Sequence, residues 1–241
     1  MPPRPPHSLA SADHVLKGTR WLLAALLLCL APAARAGETR ESLAARSAQA
    51  GKLSSQGKYA ESEKEQRAVL ALRERVLGPE HLDTLESRSN LAFLLGFQGK
   101  QAEAEVEYRA VLAIRERVLG AEHPETWSSR SSLVSALENQ GKNAEAEVEL
   151  RAMLAIHERI FGAEDPHVFG SCFYLAMCLN AQGKFSEALA FVQRAETGWQ
   201  KLLGSEHPEY KMTKEARERI EAELAKEKAK AEAEDGKAGG K

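Results

Sequence analysis

Gly57, Gly99, Gly141 and Gly183 stand 42 residues apart, and a lysine follows each of them. The register runs well beyond the glycines: residues 99–140 match residues 141–182 at about half of their positions. A period of this length makes the chain an array of supersecondary units, each too small to bury its apolar face alone. Stability must then come from stacking neighbours, so the array rather than the single unit is what folds.

Every unit predicts the same plan. In residues 124–162, Pro124 and Glu125 open a helix, because proline is tolerated in the first turn. The helix passes through Trp127, Leu133, Ala136 and Leu137 and ends at Gly141, which can take the left-handed conformation of a C-terminal cap. A second helix is expected from about Ala144 to Phe161, with Ala144, Val148, Met153 and Ile156 at helical spacings. Gly162 ends it, and Ala163, Glu164 and Asp165 lead into Pro166 and the next unit. No strand pattern occurs; Val, Ile and Thr are sparse, while Ala, Leu, Glu and Arg dominate, as helix propensity prefers. The expected fold class is all-α, a solenoid of antiparallel helix pairs.

The residues Asn90-Leu91-Ala92, Gln98-Gly99-Lys100, Ala102-Glu103-Ala104-Glu105, Tyr108 to Glu116, Leu119-Gly120 and Glu122-His123-Pro124 together resemble the 42-residue tetratricopeptide repeat of kinesin light chains and many bacterial proteins. The loop recurs in register as Leu77-Gly78-Pro79-Glu80-His81, Leu119-Gly120-Ala121-Glu122-His123, Phe161-Gly162-Ala163-Glu164-Asp165 and Leu203-Gly204-Ser205-Glu206-His207. The ordinary tetratricopeptide repeat has 34 residues, and the extra length would add about two turns to the second helix. HEAT repeats are of similar length but lack this Gly-Lys turn and this loop. The resemblance covers roughly residues 42–212 and implies a right-handed α-α superhelix whose first helices line a concave, peptide-binding face.

The ends read differently. Arg4, Lys17 and Arg20 precede the apolar run Trp21 to Leu30, and Ala34-Arg35-Ala36 then precedes Gly37, the layout of a secretory signal peptide over residues 1–36. The run is about ten residues, short of the ~20 that span a bilayer. Export to the periplasm or the exterior, with cleavage after Ala36, is the expectation; retention as an N-terminal membrane anchor is the alternative. The array is expected over 37–212, as about four units with the first partial. A charged capping helix is expected over 213–234, and a disordered tail over 235–241. Without residues 1–36 the net charge falls from −2 to −5, and no basic patch of the kind nucleic-acid binders carry is present.

No chemistry stands out. His81, His123 and His207 recur at one loop position, with Asp165 in the remaining slot. Equivalent residues of stacked repeats lie about 8–10 Å apart, too far to share an ion at ~2 Å, so helix capping and loop packing are expected instead. His157 is expected at the surface. No zincin, phosphate-loop or nucleophile-elbow pattern occurs. The abundant carboxylates beside Arg and Lys read as a solvated helical face. Cys172 and Cys178, six residues apart on one helix, cannot bridge and read as buried small apolar groups. The expectation is no catalytic residue, no cofactor and no metal.

The resemblance places Asn90, Phe93 and Phe97, then Ser132 and Asn139, then Phe173, Tyr174 and Met177, along the concave groove as partner-binding residues. Asn90 matches the asparagine that hydrogen-bonds a bound peptide backbone in that family, whereas Ser132 and Tyr174 replace it in the next two units. Leu91, Ala92, Leu133, Ala136, Leu175 and Ala176 are expected in the core. The function expected is a non-enzymatic adaptor or scaffold that holds a protein or peptide. The alternative is a self-associating structural component of an envelope assembly.

Overall fold

A computed structural model describes residues 40–238 of the chain. The expected signal segment and its cleavage site lie outside the described residues. The described residues form an all-α solenoid of helix pairs. The helices are α1 (Arg40–Ser55), α2 (Tyr59–Leu77), α3 (Leu82–Phe97), α4 (Gln101–Leu119), α5 (Pro124–Glu138), α6 (Asn143–Phe161), α7 (Pro166–Ala181), α8 (Phe185–Leu203) and α9 (Pro208–Ala238). The main contacts join each helix to its neighbours in sequence. Odd-numbered helices are the first members of each pair and even-numbered helices the second.

Two glycine positions per unit set this geometry. Gly99 and its repeats lie in the turn inside each pair, at φ near +75°, and Gly120 and its repeats end each second helix at φ of +81° to +94°. Both sit at positive φ, which L side chains avoid at a cost on the order of 1–3 kcal/mol; Gly120, with ψ of 159°, lies in a region that is essentially confined to glycine. The recurring histidine starts each first helix: His81 Nδ1 accepts from the Asp83 amide at 3.1 Å, and His123 Nδ1 from the Glu125 amide at 3.2 Å. Asp165 does the same for the His167 amide at 2.9 Å. These side chains satisfy amides that the first helical turn leaves without partners, as the capping reading expected.

The core is a continuous strip along the stack. Leu91, Ala92, Leu133, Ala136, Leu175 and Ala176 are all buried, each buried leucine contributing roughly 2 kcal/mol. Cys172 and Cys178 are buried free thiols, and burial pushes the Cys172 thiol up to about 11. Ala144 and Val148 depart from the expected apolar stripe and are exposed on α6. The terminal helix starts at Pro208, ahead of the expected 213, and it takes the place a first helix would hold in a fifth unit. Ala216 and Ile220 bury it against the stack. It continues to Ala238, so the tail expected from residue 235 is helical that far; residues 239–241 lie outside the described residues.

The repeated Gln-Gly-Lys sequence has a second use besides the turn. Lysine is a poor choice beside a helix N-terminus, where the dipole is positive, and Lys100, Lys142 and Lys184 make no side-chain cap there. Each instead reaches back one repeat. Lys100 donates to Glu63 at 2.9 Å, Lys142 to Glu105 at 2.7 Å and Lys184 to Glu147 at 2.6 Å. Gln98, Gln140 and Gln182 donate to the same three carboxylates at 2.7–2.9 Å. The arginine four residues beyond each glutamate pairs with it too. These glutamates are therefore clamps between repeats, a correction to their reading as part of an ordinary solvated face. The hydrogen bond from the lysine leads in drawing each carboxyl down to about 2. Leu189 stands at the matching place in α8, and it is partly buried against the core.

Candidate functional site

Three cavities lie in order along the first helices. The α1/α3 cavity, about 340 Å3, is lined by Ser47, Ser54, Asn90 and Phe93. The α3/α5 cavity, about 390 Å3, shares Phe93 and adds Phe97, Ser132 and Asn139. The α5/α7 cavity, about 520 Å3, is lined by Trp127, Ser131, Met153, His157, Gly170 and Tyr174 among others. First helices supply most of this lining because their cores face the second helices and leave the opposite stripe open.

The eight expected groove residues divide between these cavities and the core. Asn90 lines the first cavity, Phe93 the first and second, Phe97, Ser132 and Asn139 the second, and Tyr174 the third. Phe93, Phe97 and Tyr174 are each more than half exposed. Phe97 stacks on Tyr59 and tilts against Phe93, with ring centroids 5.7 Å and 4.6 Å apart. Phe173 and Met177 line none of the three cavities; both are half-buried against the core.

Of the third cavity's lining, Tyr174 was expected from sequence and His157 was not. In the two preceding repeats its place is held by Arg73 and Arg115, both buried. Arg73 donates to the Asp83 carbonyl at 2.6 Å and to Ser87 Oγ at 2.8 Å; Arg115 does so to the Glu125 carbonyl at 3.2 Å and Ser129 Oγ at 2.7 Å. Each arginine thus latches a second helix onto the next first helix. His157 keeps half of the latch, with Nδ1 2.8 Å from Ser171 Oγ. It is buried, which corrects its expected surface position, and burial pushes its imidazole below the ordinary range. Its ring meets Trp127 edge to face at 4.9 Å, and His167 stacks on Phe161 at 4.5 Å. Trp127 is held in place by a hydrogen bond from Nε1 to the Ala121 carbonyl at 3.1 Å.

Charge is segregated away from this lining. Among the described residues that line the three cavities, Glu138 is the one carboxylate, and no Lys or Arg is present. The charged side chains instead pair with one another between helices: Arg88 with Glu74 and Glu107, Arg130 with Glu116 and Glu149, and Arg117 with Glu80. No group of three or more His, Cys, Asp or Glu residues that could hold a metal occurs among the described residues. No described helix is long and apolar enough to cross a membrane.

Comparison with known proteins fits this architecture. Family models described as tetratricopeptide repeat match residues 41–117, 126–167 and 174–209. A solved structure of nearly identical TPR-like repeats, from a protein described as a kinesin light chain of Podosopora anserina, is 26% identical with a TM-score of 0.70. The match covers 81% of this chain and 92% of that one. BtubC (BKLC) from P. vanneervenii is 19% identical with a TM-score of 0.59, over 95% of this chain and 94% of that one. The apo form of RapI shares the fold at 11% identity and a TM-score of 0.67, over 85% of this chain and 55% of that one. No curated protein matches the sequence.

Proposed function

This chain belongs to the tetratricopeptide repeat family, and from that premise we propose that it is a non-enzymatic adaptor that holds a protein or peptide partner along its first helices. The observation that carries this reading is the row of three adjoining cavities, walled by exposed aromatic side chains and by serine and asparagine. Aromatic anchors surrounded by neutral polar groups are the usual make-up of a binding patch. Many of the chain's charged groups are instead engaged in the clamps and latches that build the stack.

The alternative, self-association as a structural component, finds less support. Head-to-tail stacking would need the clamp to continue past α8, where Leu189 replaces the glutamate and the terminal helix packs on α8.

Replacing Phe93 and Phe97 together by serine is expected to leave the helical content and melting temperature nearly unchanged, because both rings are more than half exposed. Partner recovery by affinity capture from the cells that make the protein should fall by about tenfold or more, the scale of losing a buried aromatic anchor. Equal recovery by the wild-type and substituted proteins would sink the groove. We also place the protein outside the cytoplasm, on the signal-like segment before Gly37. N-terminal sequencing of the mature chain is then expected to read from Gly37, and a retained Met1 would contradict cleavage.

A further inference from the structure

We infer that the α5/α7 cavity is the anchor of the groove and takes an aromatic side chain from an uncharged stretch of the partner. This rests on the groove reading above and names the chemistry that the groove selects.

The argument comes from comparing repeats in register. One repeat earlier, Arg115 forms an ion pair with Glu125 at 3.1 Å, and His157 and His167 stand at the equivalent places here. Two repeats earlier, Glu86 holds the position that Gly170 occupies here, with Ser128 between them in register. Val69 and Val111 likewise give way to Met153. Each change removes charge or bulk, or adds a soft apolar wall, and together they line the largest of the three cavities.

Its volume, about 520 Å3, is ample for an aromatic side chain. Its walls suit one as well: a fixed Trp127 ring, the Met153 thioether, and Tyr174 more than half exposed. Aromatic rings pack favourably edge-to-face against each other and against sulfur. The approach is flanked by Ser128, Ser131 and Ser135. Neutral hydroxyls can hydrogen-bond a passing peptide, but they cannot compensate a charged side chain stripped of its water, and burial pushes up the carboxyl of Glu138, the one carboxylate in the lining, so the cavity already disfavours charge. Partner residues on either side of the anchor are therefore uncharged.

Gly170 supplies a clean test. A Cβ at that position would meet nothing within 4 Å, so Gly170→Leu fills the cavity from its own wall while improving helix propensity. The probe is the capped peptide acetyl-Ser-Gly-Phe-Gly-Ser-amide, followed by NMR at the Trp127 indole N–H. Its analogues carry Ala in place of Phe, or Asp or Lys in place of both serines.

The Phe peptide is expected to shift the Trp127 resonance saturably and to bind about tenfold more tightly than the Ala peptide. Its affinity should change by less than about twofold between roughly 0.05 and 0.5 M salt, since no ion pair is screened. Neither charged analogue should bind more tightly. Gly170→Leu should abolish the shift without lowering the melting temperature. Equal binding of the Ala peptide, tighter binding of a charged analogue, or retention of the shift in Gly170→Leu would each overturn the anchor. Partner capture that is lost in the Phe93/Phe97 variant but kept in Gly170→Leu overturns the anchor and leaves the groove standing. Capture that survives both overturns the groove reading itself.

Discussion

Replacing Gly198 with isoleucine is expected to destabilise the protein by about 3 kcal/mol, the upper end of what overpacking a close-packed core costs. The repeat pattern alone argues the opposite. Leu72, Ile114 and Ile156 hold this position in the earlier repeats, and glycine inside a helix costs about 1 kcal/mol relative to alanine. The fourth pair differs because its partner helix has changed. Phe169 fills the space where Leu85 and Trp127 stand in other units, and a Cβ on Gly198 would overlap its ring. Phe169 cannot swing aside, because it is buried and packs edge to face on Trp199 at 5.4 Å. For a domain of this size the loss corresponds to roughly 6–12 °C in melting temperature. Urea unfolding of Gly198→Ile, Phe169→Leu and the double variant gives the coupling directly. Recovery of most of the loss in the double variant is the expected result; additive losses would show that the ring is not the obstacle.

Acid is expected to weaken the stack in a defined window. Glu63, Glu105 and Glu147 have their carboxyls drawn down to about 2 from an ordinary 4.5. A carboxylate with a lowered folded value contributes its full stability above the unfolded value and loses it as pH falls toward the folded one. The window is therefore between about pH 5 and pH 2. The lysine partners are about two-fifths exposed, so solvent screening limits each clamp to on the order of 1 kcal/mol. Three clamps give a loss of roughly 3 kcal/mol from pH 7 to pH 2. Replacing all three glutamates by glutamine should remove that stability at pH 7 and flatten the profile below pH 5. A triple variant with the wild-type acid slope would exonerate the clamps.

The two expectations show where reading by register succeeds and where it stops. Gly99 and Gly120 are legible because a left-handed turn is a local requirement that few residues meet. His81 and Asp165 are legible as caps because they sit two residues before the amide they serve. The clamp was open to view in the recurrence of Gln98, Lys100 and Glu63, yet its members lie 35 and 37 residues apart. Nothing local distinguishes Glu63 from its exposed neighbours. His157 was misplaced for a related reason. A polar residue among charged ones reads as surface, and only the buried serine latch on the next helix shows otherwise.

The sequence by itself determined the solenoid. Its period sets the unit, its glycines set the turns, and the alternation of leucine and alanine sets the buried stripe, all through interactions within one helix or one turn. Tertiary structure decided everything that depends on what the next helix brings. It made Gly198 obligatory against Phe169, turned three of many glutamates into clamps, and opened the α5/α7 cavity where His157 and Gly170 replaced larger or charged groups. Such features depend on side-chain volumes and charges meeting across the stack, and a repeat's own residues do not specify what it will face.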